Sequence, residues 1–98
     1  MLVYKAAYTF DEVDENGWVI GQVLDFPGTL TQGRGLDEAR RLLASALVDM
    51  AETCLAEGRP LPQPDATHTD ANADLEEPIY LLLNAASHIR VVAEEATA

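Results

Sequence analysis

The sequence predicts an α+β fold in which an antiparallel three-stranded sheet is packed by one long helix and completed by a C-terminal strand, in the order β-β-β-α-β. Two periodicities carry this prediction. In residues 2–10 the apolar or aromatic side chains that would share one face recur at every second position, as in a strand. The apolar residues after Leu36 recur at the spacing of three and four that is typical of a helix. The length of 98 residues allows one small domain and no second full domain.

The first two strands are predicted to form an antiparallel pair. In Leu2–Phe10 the even-numbered side chains are apolar or aromatic and fall on one face, which is the pattern of a half-buried strand. Residues 18–24 have the β-branched and aromatic content of a second strand. The acidic stretch between them ends in Asn16-Gly17, a strong hairpin signal, although this loop is longer than two residues.

Several turn signals follow in residues 25–39. Pro27-Gly28 fits the centre of a type II turn, because proline presets its φ and glycine accepts the positive φ that comes next. A chain reversal is expected there, followed by a short third strand at residues 29–32. We interpret Asp25, beside this turn, as an acceptor of hydrogen bonds from the turn amides rather than as a metal ligand.

A helix is predicted for residues 36–57. Asp37 and Glu38 lie in its first turn, where the helix dipole favours negative charge. Gly58 is placed to cap its end, and Pro60 prevents its continuation. The residues expected to form the apolar stripe that covers the sheet are Ala39, Leu43, Ala46, Leu47, Met50 and Cys54.

The rest of the chain is less regular. Residues 59–74 contain Pro60, Pro62 and Pro64 and then small polar residues, so we expect an extended excursion without a core of its own. Residues 78–86 fit either a strand or a short buried helix, and we prefer the strand. Residues 87–94 are predicted to be a strand that returns to the sheet.

Charge and composition bound the functions that are open to the chain. The net charge is −11, from 17 acidic and 6 basic residues, which makes nucleic acid an unfavourable ligand and a basic protein a natural partner. The same charge could instead serve only to keep a small protein soluble. The lone Cys54, the lack of a long apolar run and a start without a signal peptide predict a soluble protein of the reducing cytoplasm.

No catalytic, cofactor or metal site is predicted. The helical carboxylates share a polar face with Arg40 and Arg41, as on a solvated surface. Cys54 lies on the apolar stripe and is read as a small hydrophobe, and His68 is read as an exposed loop residue.

Three residues are kept as possible interface positions. Trp18 could anchor a partner, although burial within the domain is the preferred reading. His88 and Arg90 alternate on what is predicted to be the last strand, where a surface or interface role is favoured over catalysis.

The segment from Asp25 to Ala39 resembles the hallmark of the HicB-like antitoxin family. In that family an extended strand ends in Asp-aromatic-Pro-Gly, a short strand carries a glycine, and a Leu-Asp-Glu-Ala helix follows. Asn16-Gly17 and the helix exit at residues 57–62 add to a likeness that covers roughly residues 3–62. The residues that match the family motif are Asp25, Phe26, Pro27, Gly28, Gly33, Glu38 and Ala39.

The resemblance implies a partial RNase H-like fold, with a core at residues 1–62, a loop at 63–77 and a strand segment at 78–98 that completes the same domain. It implies an antitoxin of a type II toxin-antitoxin system that binds and neutralises a small basic HicA-type mRNA interferase, without a cofactor and as a homodimer or homotetramer. The chain is similar to a short form without an evident DNA-binding module, so direct DNA binding is not expected.

Two other readings stay open. One is an orphan oligomeric accessory or regulatory protein of the same fold without a toxin partner. The other is a vestigial nuclease, which would need carboxylates that converge from sheet and helix on two Mg²⁺ ions. We do not expect enzymatic activity.

Overall fold

A computed structural model describes residues 1–11, 17–83 and 89–93. The predicted loop residue Asn16 and the candidate interface residue His88 lie outside these ranges. The elements, in chain order, are β1 (Leu2–Phe10), β2 (Trp18–Val23), β3 (Leu30–Arg34), α1 (Leu36–Ala56), β4 (Leu75–Leu83) and β5 (Ile89–Ala93).

The strands form one antiparallel sheet in the order β3-β2-β1-β4-β5. The predicted α+β class, the antiparallel pairing of the first strands and the single long helix are confirmed. The order β-β-β-α-β lacks one strand, because two strands follow the helix. β4 lies where the strand reading of residues 78–86 was preferred, and β5 lies where a strand was predicted at residues 87–94. β4 is beside β1 in the interior of the sheet. The predicted loop at 63–77 is also shorter than expected, since β4 begins at Leu75.

Pro78 explains why residues 78–86 were hard to interpret from sequence. It lies within β4, opposite Lys5 of β1, although a residue without an amide hydrogen does not suit a central strand. The Lys5 carbonyl oxygen accepts the Leu24 N–H, so the backbone groups of Lys5 point to β2 and not to Pro78. Opposite Lys5, β1 therefore needs no amide hydrogen from β4, and a proline is tolerated there.

The hydrophobic core fills the space between α1 and the face of the sheet that we call the inner face. From the predicted helical stripe, Ala46 and Met50 are only half-buried, while Ala51 is buried in addition. The buried core residues are Tyr4, Ala6, Tyr8, Val19, Val23, Phe26, Ala39, Leu43, Leu47, Ala51, Cys54, Ile79 and Leu81.

The corner between β2 and α1 has the predicted turn chemistry. Gly28 has φ of 89°, and the Thr29 N–H donates to the Phe26 carbonyl oxygen at 3.2 Å, which together describe a type II turn at Pro27-Gly28. Gly33 brings β3 against the start of the helix, because a Cβ there would lie 2.8 Å from the Ala39 backbone nitrogen. This corner therefore fixes β3 directly on the first turn of α1.

Residues 62–74, which we call the strap, cross the outer face of the sheet, opposite α1. The Lys5 Nζ donates to the Ala66 and His68 carbonyl oxygens at 3.1 and 2.8 Å. Asp74 Oδ2 accepts the Phe10 N–H at 2.7 Å. The expected excursion is thus held to the sheet by polar contacts. Among the described residues no helix combines the length and apolarity needed to cross a membrane.

Candidate protein-binding surface

Alternation along β2 and β3 places a row of side chains on the outer face, beside the strap. Val19, Gly21 and Gly33 are buried toward α1, so their neighbours must point the other way. Ile20 is 43% exposed and Leu30 is 61% exposed. We call this row the outer strip; it consists of Trp18, Ile20, Leu30, Gln32 and Arg34.

Trp18 and Arg34 face each other across β2 and β3 at one end of the outer strip. The Arg34 Cζ lies 5.1 Å from the Trp18 ring centroid, in cation–π contact. Trp18 is half-buried, and it lies on the outer face. The preferred prediction had been burial in the core. Adjacent residues of a strand point to opposite faces. If Val19 is assigned to the core, alternation puts its neighbour Trp18 on the outer face, and this was the sequence signal that could have placed Trp18 correctly.

An open groove lies where the outer strip meets the strap. Its volume is about 470 Å³, and it is lined by Thr9, Phe10, Asp11, Ile20, Asn72 and Asp74. Ile20 supplies an apolar surface, while Asp11 and Asp74 supply carboxylates. Phe10 lies opposite Val19 of β2, so its side chain is on the inner face. An apolar centre with a charged rim is the usual anatomy of a protein-binding surface.

Two carboxylates of the outer face, Asp65 of the strap and Glu76 of β4, have lowered pKa values. The Thr67 hydroxyl and N–H hold the pKa of Asp65 below its ordinary value. Hydrogen bonds from the Thr69 hydroxyl and the Asp70 N–H likewise lower the pKa of Glu76. The outer face therefore presents fixed negative charge next to the groove.

A second cavity, of about 390 Å³, lies between the strap and β1 and β4. Lys5 lines it, and its Nζ also lies 3.6 Å from Glu76 Oε1. Asp25 lines it too, but its two carboxylate oxygens accept the Lys5 N–H at 3.3 Å and the Asp65 N–H at 2.8 Å. These polar groups are engaged in holding the strap to the sheet.

The family-motif residues lie together at the corner rather than in the groove. Phe26 packs on Tyr4 with ring centroids 5.5 Å apart. Glu38 Oε1 accepts the Arg34 N–H at 2.8 Å, which ties the end of β3 to the first turn of α1. Asp25 is 9% exposed, and its donors come from β1 and the strap rather than from the turn amides that we expected.

The residues considered for metal or redox chemistry are dispersed. Among residues 1–11, 17–83 and 89–93 there is no group of three or more histidine, cysteine or carboxylate side chains that could hold a metal ion. Cys54 is buried in the core, and His68 is exposed in the strap. Arg90 lies on β5 in register with Leu82.

One polar feature of the inner face was not foreseen. Arg40 of α1 donates two hydrogen bonds to Glu77 of β4, at 2.7 and 2.8 Å. This bonding raises the pKa of the Arg40 guanidinium, while burial, aided by the Glu77 charge, raises the pKa of Tyr8. No sequence signal links Arg40 with Glu77, because they meet only through the packing of α1 on β4.

No family model matches the chain, and neither a curated protein nor a solved structure matches it. The resemblance to HicB-like antitoxins therefore rests on the motif residues alone and stays a prediction.

Proposed function

We propose that this protein is a HicB-like antitoxin with a partial RNase H-like fold, which binds a small basic HicA-type mRNA interferase in the cytoplasm and blocks it. The single observation that carries the proposal is the groove of the outer face, where apolar Ile20 adjoins a carboxylate-bearing strap. The corner motif from Asp25 to Ala39 supports the family, and the net charge of −11 has the sign that a basic partner requires.

In this proposal the two parts of the surface have different roles. The carboxylates of the strap attract the basic toxin over a distance and raise the encounter rate, an effect that weakens as salt screens the charges. Ile20 then provides the apolar contact that holds the complex and slows its dissociation. The antitoxin needs no chemistry of its own, because covering the catalytic surface of the toxin excludes the RNA.

The experiment uses the small basic protein encoded next to this gene. We expect the two proteins to co-purify, and we expect a stoichiometric amount of this chain to stop RNA cleavage by the partner. The affinity should fall as salt rises. Absence of a small basic neighbour, or no complex at low salt, would overturn the proposal and favour the orphan accessory protein.

Two matched substitutions locate the surface. Ile20→Arg places a positive charge in the groove and should weaken toxin binding at least about tenfold, or 1.4 kcal/mol. Leu55→Arg makes the same change at a residue of α1 with similar exposure, 47% against 43%, and should leave the affinity unchanged. Equal effects of the two variants would contradict the assignment of the groove.

A further inference from the structure

β3 is an edge strand, and the hydrogen bonds at its two ends show which backbone groups are open. The Val23 N–H donates to the Thr29 oxygen at 2.9 Å, and the Gly35 N–H donates to the Gly17 oxygen at 2.8 Å. Odd-numbered residues of this segment therefore direct their backbone groups toward β2. By alternation, the backbone groups of Leu30, Gln32 and Arg34 point to the open edge.

This edge lacks the usual protection against pairing. β3 has the sequence LTQGR, without proline, lysine or an acidic residue, although such residues commonly block edge strands. Among the contacts of the described residues, the Arg34 N–H is engaged by Glu38 Oε1 at 2.8 Å, and none engages the backbone groups of Leu30 or Gln32 at this edge. The exposed side chain of Leu30 adds an apolar surface next to the open backbone groups.

The charges near β3 indicate which kind of partner can pair with this edge. The chain has 17 acidic residues, yet residues 26–36 contain none, and the one basic residue there is Arg34. Two copies that each carry a charge of −11 repel each other over most of their surfaces, but little along this segment. The other edge strand of the described sheet, β5, is equally free of acidic residues, and the cross-linking below distinguishes the two edges. A basic partner, in contrast, is attracted by the strap and gains nothing from an edge that bears Arg34.

We propose that β3 pairs with β3 of a second copy of this chain, antiparallel and with a two-fold axis at Gln32, so that two five-stranded sheets join into one. The two Gln32 residues exchange backbone hydrogen bonds. Leu30 of each copy lies opposite Arg34 of the other, on the same face, so that Leu30 packs on the aliphatic part of that arginine. This pairing is independent of the proposed toxin binding, which uses the groove.

The register is tested by cysteine cross-linking of the full chain without any partner. In a hydrogen-bonded antiparallel pair the Cα atoms lie about 5.5 Å apart, a distance that a disulfide spans. Gln32→Cys should form an intermolecular disulfide under mild oxidation, whereas Leu30→Cys, which faces Arg34, should not. The native Cys54 is buried in the core and serves as the background in the parent protein. Equal cross-linking of both variants would overturn the register.

Sedimentation equilibrium tests the pairing itself. Gln32→Pro removes an amide hydrogen that points to the open edge and should raise the dimer dissociation constant at least about tenfold while the fold is kept. Gln63→Pro makes the same change in the proline-containing strap and should behave like the parent. A parent protein that stays monomeric at high micromolar concentration would overturn the proposal.

Charge variants at Leu30 test the same pairing if the proline variant does not fold. Leu30→Lys should weaken the dimer, because it sets a second cation opposite Arg34, whereas Leu30→Glu should weaken it less or strengthen it. Net charge alone predicts the reverse order, since lysine lowers and glutamate raises the repulsion between two acidic copies. The reverse order would therefore count against β3 pairing.

Discussion

The two faces of the sheet are covered in opposite ways. On the inner face α1 packs fully buried residues such as Leu43 and Leu47 onto the strands, and the contact is mainly apolar. On the outer face the strap is held by individual hydrogen bonds, among them those to Lys5 and Asp25. Because side chains alternate along a strand, the same strands supply an apolar core on one face and a more polar surface on the other.

The most severe test of this comparison is a cavity in the inner face. Leu43→Ala should lower the free energy of unfolding by about 2–5 kcal/mol, because Leu43 is 0% exposed and α1 cannot collapse into the space. Urea denaturation followed by circular dichroism measures this loss. Leu42→Ala changes the adjacent residue, which is 39% exposed, and should cost below about 1 kcal/mol. Similar losses at both positions would mean that the inner face is not the main source of stability.

Substitutions of Arg40 and Glu77 test whether a charge on the inner face is tolerated only when it is paired, with the free energy of unfolding as the measurement. Their side chains are 16% and 13% exposed. Glu77→Gln should cost about 2 kcal/mol, less than a fully buried pair, because it leaves the guanidinium without its counter-charge. Replacing both residues with leucine should cost less than the sum of the single losses. Additive losses in this double-mutant cycle would contradict coupling between the two residues.

An exposed ion pair on the same helix serves as the control for that cycle. Arg41 Nη2 lies 3.9 Å from Glu38 Oε2, and the Arg41 side chain is 74% exposed. Solvent screens this pair, so Arg41→Gln should change the free energy of unfolding by less than about 0.5 kcal/mol.

The same contrast explains what the sequence could predict. Alternation in Leu2–Phe10 and the helical spacing after Leu36 are repeated over many residues, so β1, β2 and α1 were predicted close to their observed bounds. The turn at Pro27-Gly28 was equally legible, because few residues suit its φ values. These features depend on residues that are close together in the sequence, so a single sequence is enough to predict them.

Features that depend on packing between distant segments were missed or left open. β4 contains Pro78, which argues against a central strand until the register of β4 with β1 is known. The strap was predicted to be an extended excursion without a core of its own, and no local signal pairs Lys5 with the carbonyl groups of Ala66 and His68. The groove combines Ile20 with residues of the strap and depends on the same long-range contacts.

A smaller effect is expected at Thr29, which has a buried hydroxyl group on the mainly apolar inner face. Thr29 is 2% exposed, and its Oγ1 has no hydrogen-bond partner among the described residues. Thr29→Val removes this buried hydroxyl and should raise the free energy of unfolding by about 1 kcal/mol. Thr29→Ser keeps the hydroxyl but loses a methyl group and should lower it by a similar amount. A loss of stability in the valine variant would show that the hydroxyl is satisfied.

The smallest expected effect concerns the outer face and its response to acid. Glu76 accepts hydrogen bonds from Thr69 and Asp70 of the strap, and these bonds lower its pKa below the ordinary value of 4.5. A carboxyl group whose folded-state pKa is depressed stabilises the fold above its ordinary pKa and loses that contribution as the pH falls through the lower, folded-state value. The strap should therefore loosen in acid before the inner face does.

Backbone ¹⁵N relaxation of residues 65–70 measures this loosening directly. Heteronuclear NOE values in the strap should fall as the pH drops below the ordinary carboxyl pKa of 4.5, while those of α1 stay constant. Glu76→Gln should produce a loosened strap already at neutral pH, because an uncharged amide accepts these hydrogen bonds more weakly. The same change at Glu52, an exposed residue of α1, should have no effect. If acid loosened the strap and α1 together, the two faces would unfold as one unit, and the division of the sheet into a stabilising inner face and a separately held outer face would fail.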